Sequence, residues 1–161
     1  MASKKSTEGR ELCCSFCGKS QKEVKKLIGQ RSVELQIEPG RVIVGRSGVL
    51  LTQIQYIKKT PYKTFAIVDT GMHHLLRPSL YSAYHRIEPL IQRGVQQKLY
   101  DVVGPICEST DVLGHDRSLP ELEEGQWLAI RDTGAYGFCM ANTYNAHELP
   151  GECVISSGKI L

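Results

Sequence analysis

Alternating or continuously apolar runs, punctuated by glycine and proline, fill most of the chain after residue 33. The first are VELQIEPG, RVIVGRSGVLLTQIQYI and KTFAIVDTG, followed by QKLYDVVGPIC, QWLAIRDTG, YGFCMA and ECVISSG. Runs rich in β-branched residues and bounded by turn residues are typical of short strands. Many such strands with little helical pattern between them predict a mainly β fold, a mainly antiparallel β-barrel or sandwich over about residues 33–155.

One segment, RPSLYSAYHRIEPLI, departs from the strand pattern. Leu80, Tyr84 and Ile87 would lie on one face of a helix. A proline near each end limits its length. The sequence therefore predicts one short helix around residues 79–87.

The first 30 residues are polar and rich in lysine, unlike the rest of the chain. Within them, QKEVKKLI would place Val24, Leu27 and Ile28 on one side of a short helix. The change of pattern predicts two parts, an N-terminal segment at residues 1–30 and a β-domain at residues 31–161.

The overall composition is ordinary for a soluble globular protein, with 41% hydrophobic and 23% charged residues and a formal charge of +3. A charge this small does not favour nucleic acid as a partner. No run reaches the roughly 20 apolar residues of a membrane helix, and the polar start lacks the apolar core of a signal peptide. We therefore expect a cytoplasmic protein with neither a nucleic-acid nor a membrane partner.

Three of the six cysteines, Cys13, Cys14 and Cys17, lie within five residues. Without an export signal, reduced thiols or metal ligands fit them better than disulfides. Cys14 and Cys17 have C-x-x-C spacing, and residues 11–28 resemble the start of the zinc-binding domain of the ClpX unfoldase. A tetrahedral zinc site needs four ligands, so this pair would need Cys13, a histidine or another chain. The alternative is a half-motif without metal.

Five motifs between residues 34 and 155 point to one enzyme family. They are EPGR with VIVGRSGVLLT, IVDTGMHHLLRPSLYSAYHRI, VVGPICESTDVLG, LPELEEGQWLAIRDTGAYGF and NTYN. In this order they resemble the carboxy-terminal part of diaminopimelate decarboxylase, a pyridoxal-phosphate (PLP) lyase that converts meso-diaminopimelate to L-lysine. The resemblance implies a C-terminal β-domain, which in the family follows a (β/α)₈ barrel, and an active site at a dimer interface.

Cys107 and Glu108 stand together in GPICESTDVLG, between turn-forming residues. Residue type alone leaves three interpretations of Cys107: a buried apolar residue, a metal ligand or a reactive thiol. The resemblance implies that Cys107 is the proton donor, reaching into the partner subunit's active site, and that Glu108 holds the distal amino group of the substrate. A thiol suits this step because thiols titrate not far above neutrality.

The resemblance also implies the binding residues. EPGR, by itself only a turn, would cradle the PLP phosphate, because glycine permits close backbone approach and arginine offers forked donors. Without the family, the arginine and tyrosines involved would be ordinary surface or core-edge residues. The implied cofactor-binding residues are Glu38, Pro39, Gly40, Arg41 and Tyr136, and the implied substrate-binding residues are Arg41, Arg77, Tyr81, Glu108 and Tyr136.

Other polar groups carry no predicted role. The acidic run at residues 121–125 is interpreted as a solvated turn. The histidines have no metal-ligand spacing and are interpreted as surface or loop residues; they are His73, His74, His85, His115 and His147.

The barrel of the family carries the Schiff-base lysine, and no lysine of this chain lies in a matching motif. We therefore expect the chain to be inactive without a barrel domain. Its expected partners are a second copy of itself or a barrel-domain decarboxylase subunit, with an amino acid as small-molecule substrate. One alternative is a non-catalytic dimerisation or regulatory module whose N terminus binds metal or a partner. A fusion or truncation product without function is another.

Overall fold

The computed structural model describes residues 39–92 and 94–161, which belong to one compact unit, Pro39–Leu161. The strands of this part are β1 (Val49–Lys59), β2 (Thr64–Val68), β3 (Ile87–Pro89), β4 (Gln97–Val103), β5 (Val112–Pro120), β6 (Trp127–Arg131), β7 (Ile155–Ser156) and β8 (Lys159–Ile160). The helical elements are α1 (Arg77–Tyr81) and the 3-10 turns Gly45–Ser47, Phe138–Met140 and Tyr144–Ala146. None of the described helices is long and apolar enough to span a membrane.

Six strands form one sheet in the order β3-β6-β1-β2-β4-β5, and β7 and β8 form a separate hairpin. Neighbours in the large sheet are antiparallel except β2 and β4, which run parallel with Phe65 opposite Asp101. The edge strands β3 and β5 also contact each other. The sheet is therefore a nearly closed barrel, which leaves little open edge. This confirms the predicted mainly β fold.

The alternation of β1 shows how the sequence builds the core. Thr52 and Ile54 are buried on one face of the strand. A bulge between Ile54 and Tyr56 then shifts the register, so that Ile57 packs against the core and Tyr56 is exposed. The other strands of the barrel add their buried side chains to the same cluster, which includes Val68, Tyr100, Val102, Leu113, Leu128 and Ile130.

Two predicted strands are not strands. The apolar run at residues 41–44 is a turn that leads into the 3-10 turn Gly45–Ser47, and YGFCMA contains the 3-10 turn Phe138–Met140. A tertiary contact explains the first case: Gly134 donates its N–H to the Gly45 carbonyl, and a Cβ at Gly48 would collide with Gly134. Strand β1 begins only after this close approach.

The predicted helix is displaced and shorter. Helix α1 ends at Tyr81 because Ser82 adopts a left-handed φ of 52° and donates its N–H to the Arg77 carbonyl. Ile87 is not on a helix face; it is buried in β3, opposite Ile130 of β6. The prediction of a helix over residues 79–87 was therefore wrong in its bounds.

Candidate functional site

Two arginines from distant parts of the chain lie close together. Arg41 follows the first described residues and donates from Nη2 to the Asp132 carbonyl at 2.5 Å. Arg77 begins α1; burial lowers the pKa of Arg77, and the positive charge of Arg41 lowers it further. The Nε atoms of both arginines are buried without a hydrogen-bond partner. No carboxylate of the described residues forms an ion pair with either.

Two tyrosine rings flank Arg77. Its Cζ atom lies 5.7 Å from the ring centroid of Tyr81 and 5.9 Å from that of Tyr136. Tyr81 is the last residue of α1, and Tyr136 has a left-handed φ of 58°. Such a backbone conformation persists in a bulky residue only where its surroundings hold it. We call Arg41, Arg77, Tyr81 and Tyr136 the arginine cluster; its unpaired cations and phenol groups suit an anionic ligand.

His85 lies near the arginine cluster and is fully buried. Its Nδ1 is 2.9 Å from the Arg131 carbonyl, and its Nε2 is buried without a partner among the described residues. Burial lowers the pKa of His85; the hydrogen bond to Arg131 opposes this, and the charges of Arg41 and Arg77 lower the pKa further. His85 and His73 do lie in loops, as predicted, but neither is at the surface.

Cys107 and Glu108 lie in the connection between β4 and β5, at residues 106–111, which we call the cysteine loop. Asp111 holds this loop, because its carboxylate accepts N–H donors from Met72 at 2.6 Å and from Ile106 at 2.8 Å. Its own N–H donates to the Glu108 carbonyl at 3.0 Å. Burial raises the pKa of Asp111, and the two backbone donors oppose that rise.

Glycines make room for this buried carboxylate. A Cβ at Gly71 or at Gly104 would collide with the Asp111 side chain. Asp111 was not among the predicted site residues, although it stands in the CESTD motif. The motif identifies Asp111 as a residue of the family but does not reveal that Asp111 holds the loop, because that role depends on a contact with the distant turn at Met72.

The Cys107 side chain is exposed, which excludes the interpretation as a buried apolar residue. Its Sγ accepts a hydrogen bond from Asn145 Nδ2 at 3.4 Å. The described residues contain no group of three or more His, Cys, Asp or Glu side chains able to hold a metal ion. Glu108 is half-buried and turns back on its own loop, since its Oε1 accepts from Ser109 and Thr110 at 3.3 and 3.4 Å.

The predicted site residues thus form two groups. Arg41, Arg77, Tyr81 and Tyr136 come together, whereas Cys107 and Glu108 stand apart on the cysteine loop. No hydrogen bond or ion pair among the described residues joins the two groups of side chains. Helix α1, which carries Arg77 and Tyr81, contacts the cysteine loop through Ser79, whose Oγ donates to the Thr110 carbonyl at 2.7 Å.

Some predicted positions have little or no described structure. Pro39 and Gly40 are exposed at the start of the described part, and a Cβ at Gly40 would meet nothing within 4 Å. Glu38, Cys14 and Cys17 lie outside the described residues, as does the segment that resembles the ClpX zinc-binding domain. Zinc binding and that resemblance stay predictions.

Comparisons with known proteins agree on one relationship. Residues 6–134 match the family model described as the pyridoxal-dependent decarboxylase C-terminal sheet domain. The chain is 45% identical over 134 residues to the diaminopimelate decarboxylase of Vibrio cholerae, covering 83% of this chain and 32% of that protein. For the Aquifex aeolicus diaminopimelate decarboxylase the identity is 41% over 137 residues, covering 85% and 33%.

Solved structures give the same result. The diaminopimelate decarboxylase from Helicobacter pylori complexed with L-lysine has a TM-score of 0.71 and 48% identity, covering 77% of this chain and 30% of that one. The diaminopimelate decarboxylase from M. jannaschii has a TM-score of 0.73 and 41% identity, covering 76% and 28%. The chain spans about a third of the length of the curated relatives it matches.

Proposed function

We propose that this chain, which belongs to the C-terminal sheet domain family of pyridoxal-dependent decarboxylases, takes part in the decarboxylation of meso-diaminopimelate to L-lysine. Relatives named diaminopimelate decarboxylase support this choice of substrate. One observation carries the proposal: the arginine cluster holds two neighbouring cations that no described carboxylate neutralises.

An anionic group of the substrate would offset the charge repulsion within the arginine cluster. The guanidinium groups of Arg41 and Arg77 repel each other, and each has a buried Nε without a partner. A carboxylate is the natural ligand because the planar fork of arginine can donate two parallel hydrogen bonds to it. The hydroxyls of Tyr81 and Tyr136 are available nearby, since the two residues are 59% and 49% exposed.

The residues present also fit pyridoxal phosphate, which supplies the electron sink for decarboxylation when it is bound. The open space at Gly40 lets a phosphate approach the backbone closely. Arg41, the next residue in the sequence, carries a guanidinium whose Nε has no hydrogen-bond partner among the described residues. Pro39, Gly40, Arg41 and Tyr136 would hold the cofactor, together with Glu38 outside the described part.

The cysteine loop would supply the acid and the specificity group. Loss of carbon dioxide leaves the α-carbon in need of a proton, which the Cys107 thiol donates as it becomes a thiolate. The Glu108 carboxylate pairs with the distal ammonium group. The lack of polar contact between this loop and the arginine cluster supports action on a site in a partner. That partner is a second copy of the chain or a barrel-domain decarboxylase subunit, in the cytoplasm.

The test mixes this chain with a family barrel subunit that lacks its own β-domain and measures carbon dioxide release from meso-diaminopimelate. We expect no turnover from the 161-residue chain alone and turnover from the mixture. Cys107→Ala should lower kcat about 100-fold or more, as expected for loss of a general acid. Cys153→Ala, at another exposed cysteine, is the matched control and should leave kcat unchanged. Equal activity of the Cys107→Ala mixture would remove Cys107 from this role.

A further inference from the structure

The Cys107 thiol contacts a side chain from a distant part of the chain. Asn145 donates a hydrogen bond from Nδ2 to Cys107 Sγ at 3.4 Å. We propose that Asn145 is a positioning residue for Cys107: it orients the thiol and stabilises the thiolate that forms when the proton leaves. Its role in turnover rests on the proposed function of Cys107, whereas the contact itself can be tested without turnover.

The backbone around Asn145 is held in an unusual conformation. Asn145 has φ 55° and ψ 30°, and Ala146 has a φ of 59°. Asparagine tolerates the left-handed region better than most residues, but alanine does not. Two successive left-handed residues without glycine persist only where surrounding contacts impose them. The fold therefore maintains this turn against a local cost.

Those surrounding contacts come from two adjacent histidines. The His73 carbonyl accepts the Asn142 N–H at 2.8 Å, before the turn. After the turn, His74 Nε2 lies 2.8 Å from the Glu148 carbonyl. The rings of His73 and His147 also contact each other, with centroids 4.6 Å apart and their planes tilted by 36°. The segment carrying Asn145 is thus fastened on both sides.

The residue before these histidines fastens the cysteine loop. Met72 donates its N–H to the Asp111 carboxylate, and the other oxygen of that carboxylate accepts the Ile106 N–H. Three consecutive residues, Met72 to His74, therefore fix both the loop that carries the thiol and the turn that carries the amide. Because the loop and the turn are both attached to residues 72–74, the distance between Cys107 Sγ and Asn145 Nδ2 is fixed.

The chemistry of the contact suits a proton donor. Sulfur accepts the amide hydrogen through a lone pair, so the S–H bond points away from Asn145 and towards other acceptors. When the proton leaves, the same amide donates to a negatively charged sulfur, where a hydrogen bond is stronger. Asn145 thus favours the product of the proton transfer over its reactant.

Alkylation of the full chain with iodoacetamide at pH 7 tests the contact, because the thiolate is the reacting species. Peptide mass spectrometry gives the rate at Cys107 relative to Cys153, an exposed internal standard. Asn145→Gly keeps the left-handed backbone without the amide and should lower this ratio about threefold. Asn145→Asp, which places a negative charge near the sulfur, should lower it further. Ala146→Gly relieves the backbone, keeps the amide and should leave the ratio unchanged.

A ratio that stays the same or rises in Asn145→Gly would overturn the proposal, since it would show that Asn145 only covers the thiol. In the mixed assay, Asn145→Gly should lower kcat while KM stays the same. If Cys107→Ala keeps full activity but Asn145→Gly still slows alkylation, the proposed function fails and the contact stands. If Cys107→Ala is inactive and Asn145→Gly changes neither readout, only the role of Asn145 fails.

Discussion

The arginine cluster leaves buried polar groups without hydrogen-bond partners, whereas the cysteine loop has a buried carboxylate whose hydrogen bonds are made within the fold. In the arginine cluster, two cations lie together with buried Nε atoms that no described group accepts from. In the cysteine loop, one buried carboxylate, Asp111, collects backbone donors from two segments and leaves the Cys107 side chain exposed. Unsatisfied groups are suited to receiving a ligand, whereas a reacting atom benefits from a fixed support.

Because of this difference, substitutions in the two regions should affect different quantities, the stability of the fold in one and the affinity for a ligand in the other. Changes around the cysteine loop should act mainly on folding, because they break contacts already made. A change at Arg77 should act mainly on binding, because its guanidinium has no hydrogen bond or ion pair to the described residues and would form them only with a ligand. Substitutions at His73, Asp111 and Arg77 test this division, from the largest expected effect to the smallest.

The largest effect should be the pH dependence contributed by His73, the buried neighbour of Met72, whose N–H holds the cysteine loop through Asp111. Burial, together with the charges of His74 and His147, lowers the pKa of His73 from 6.5 to about 4. The unfolded chain gains this proton below about pH 6.5 but the folded chain only near pH 4, so stability is complete above pH 6.5 and is lost as the pH falls.

Urea unfolding at pH 7.5 and pH 4.5 measures this loss. In His73→Phe the fall in the free energy of unfolding should be smaller by about 2 to 3 kcal/mol. The control Tyr62→Phe, at a residue that is 94% exposed, should keep the wild-type dependence. An unchanged pH dependence in His73→Phe would show that His73 is not kept neutral by burial.

A smaller effect is expected from Asp111→Asn. The amide would point its NH₂ group at a backbone N–H of Met72 or Ile106, leaving a buried donor unpaired, at a cost of about 2 kcal/mol in the free energy of unfolding at pH 7. Asp116→Asn is the matched control: its side chain is 66% exposed and should change stability by about 0.5 kcal/mol or less. Equal effects at the two positions would mean that Asp111 does not anchor the loop.

The smallest effect is expected from Arg77→Lys, and on affinity alone. Lysine keeps the charge but loses the fork, so KM for meso-diaminopimelate in the mixed assay should rise about tenfold, equivalent to about 1.4 kcal/mol. The free energy of unfolding should change by about 0.5 kcal/mol or less. Arg46→Lys, at an exposed position, should change neither quantity. If Arg77→Lys strongly lowers the free energy of unfolding, Arg77 stabilises the fold, and the two regions do not differ in the way described.

The local pattern of the sequence determined the fold class and the family. Strand periodicity depends on neighbouring residues, so β1, β2, β4 and β6 could be located before any contact was known. Five motifs in order, which include EPGR, RPSLY, CESTD, GAYG and NTYN, carried the family resemblance. Both kinds of information are read along the chain and need no tertiary contact.

Long-range contacts decided what the local pattern could not. Residues 41–44 are β-branched and apolar after Arg41, like a strand, but form a turn, because Gly48 and Gly134 approach each other closely. Ser82 ends α1, so Ile87 enters β3 instead of a helix face. The anchoring role of Asp111 and the contact between Asn145 and Cys107 join residues remote in sequence. Such roles depend on which segments the closed sheet brings together, and no periodicity along the chain encodes that.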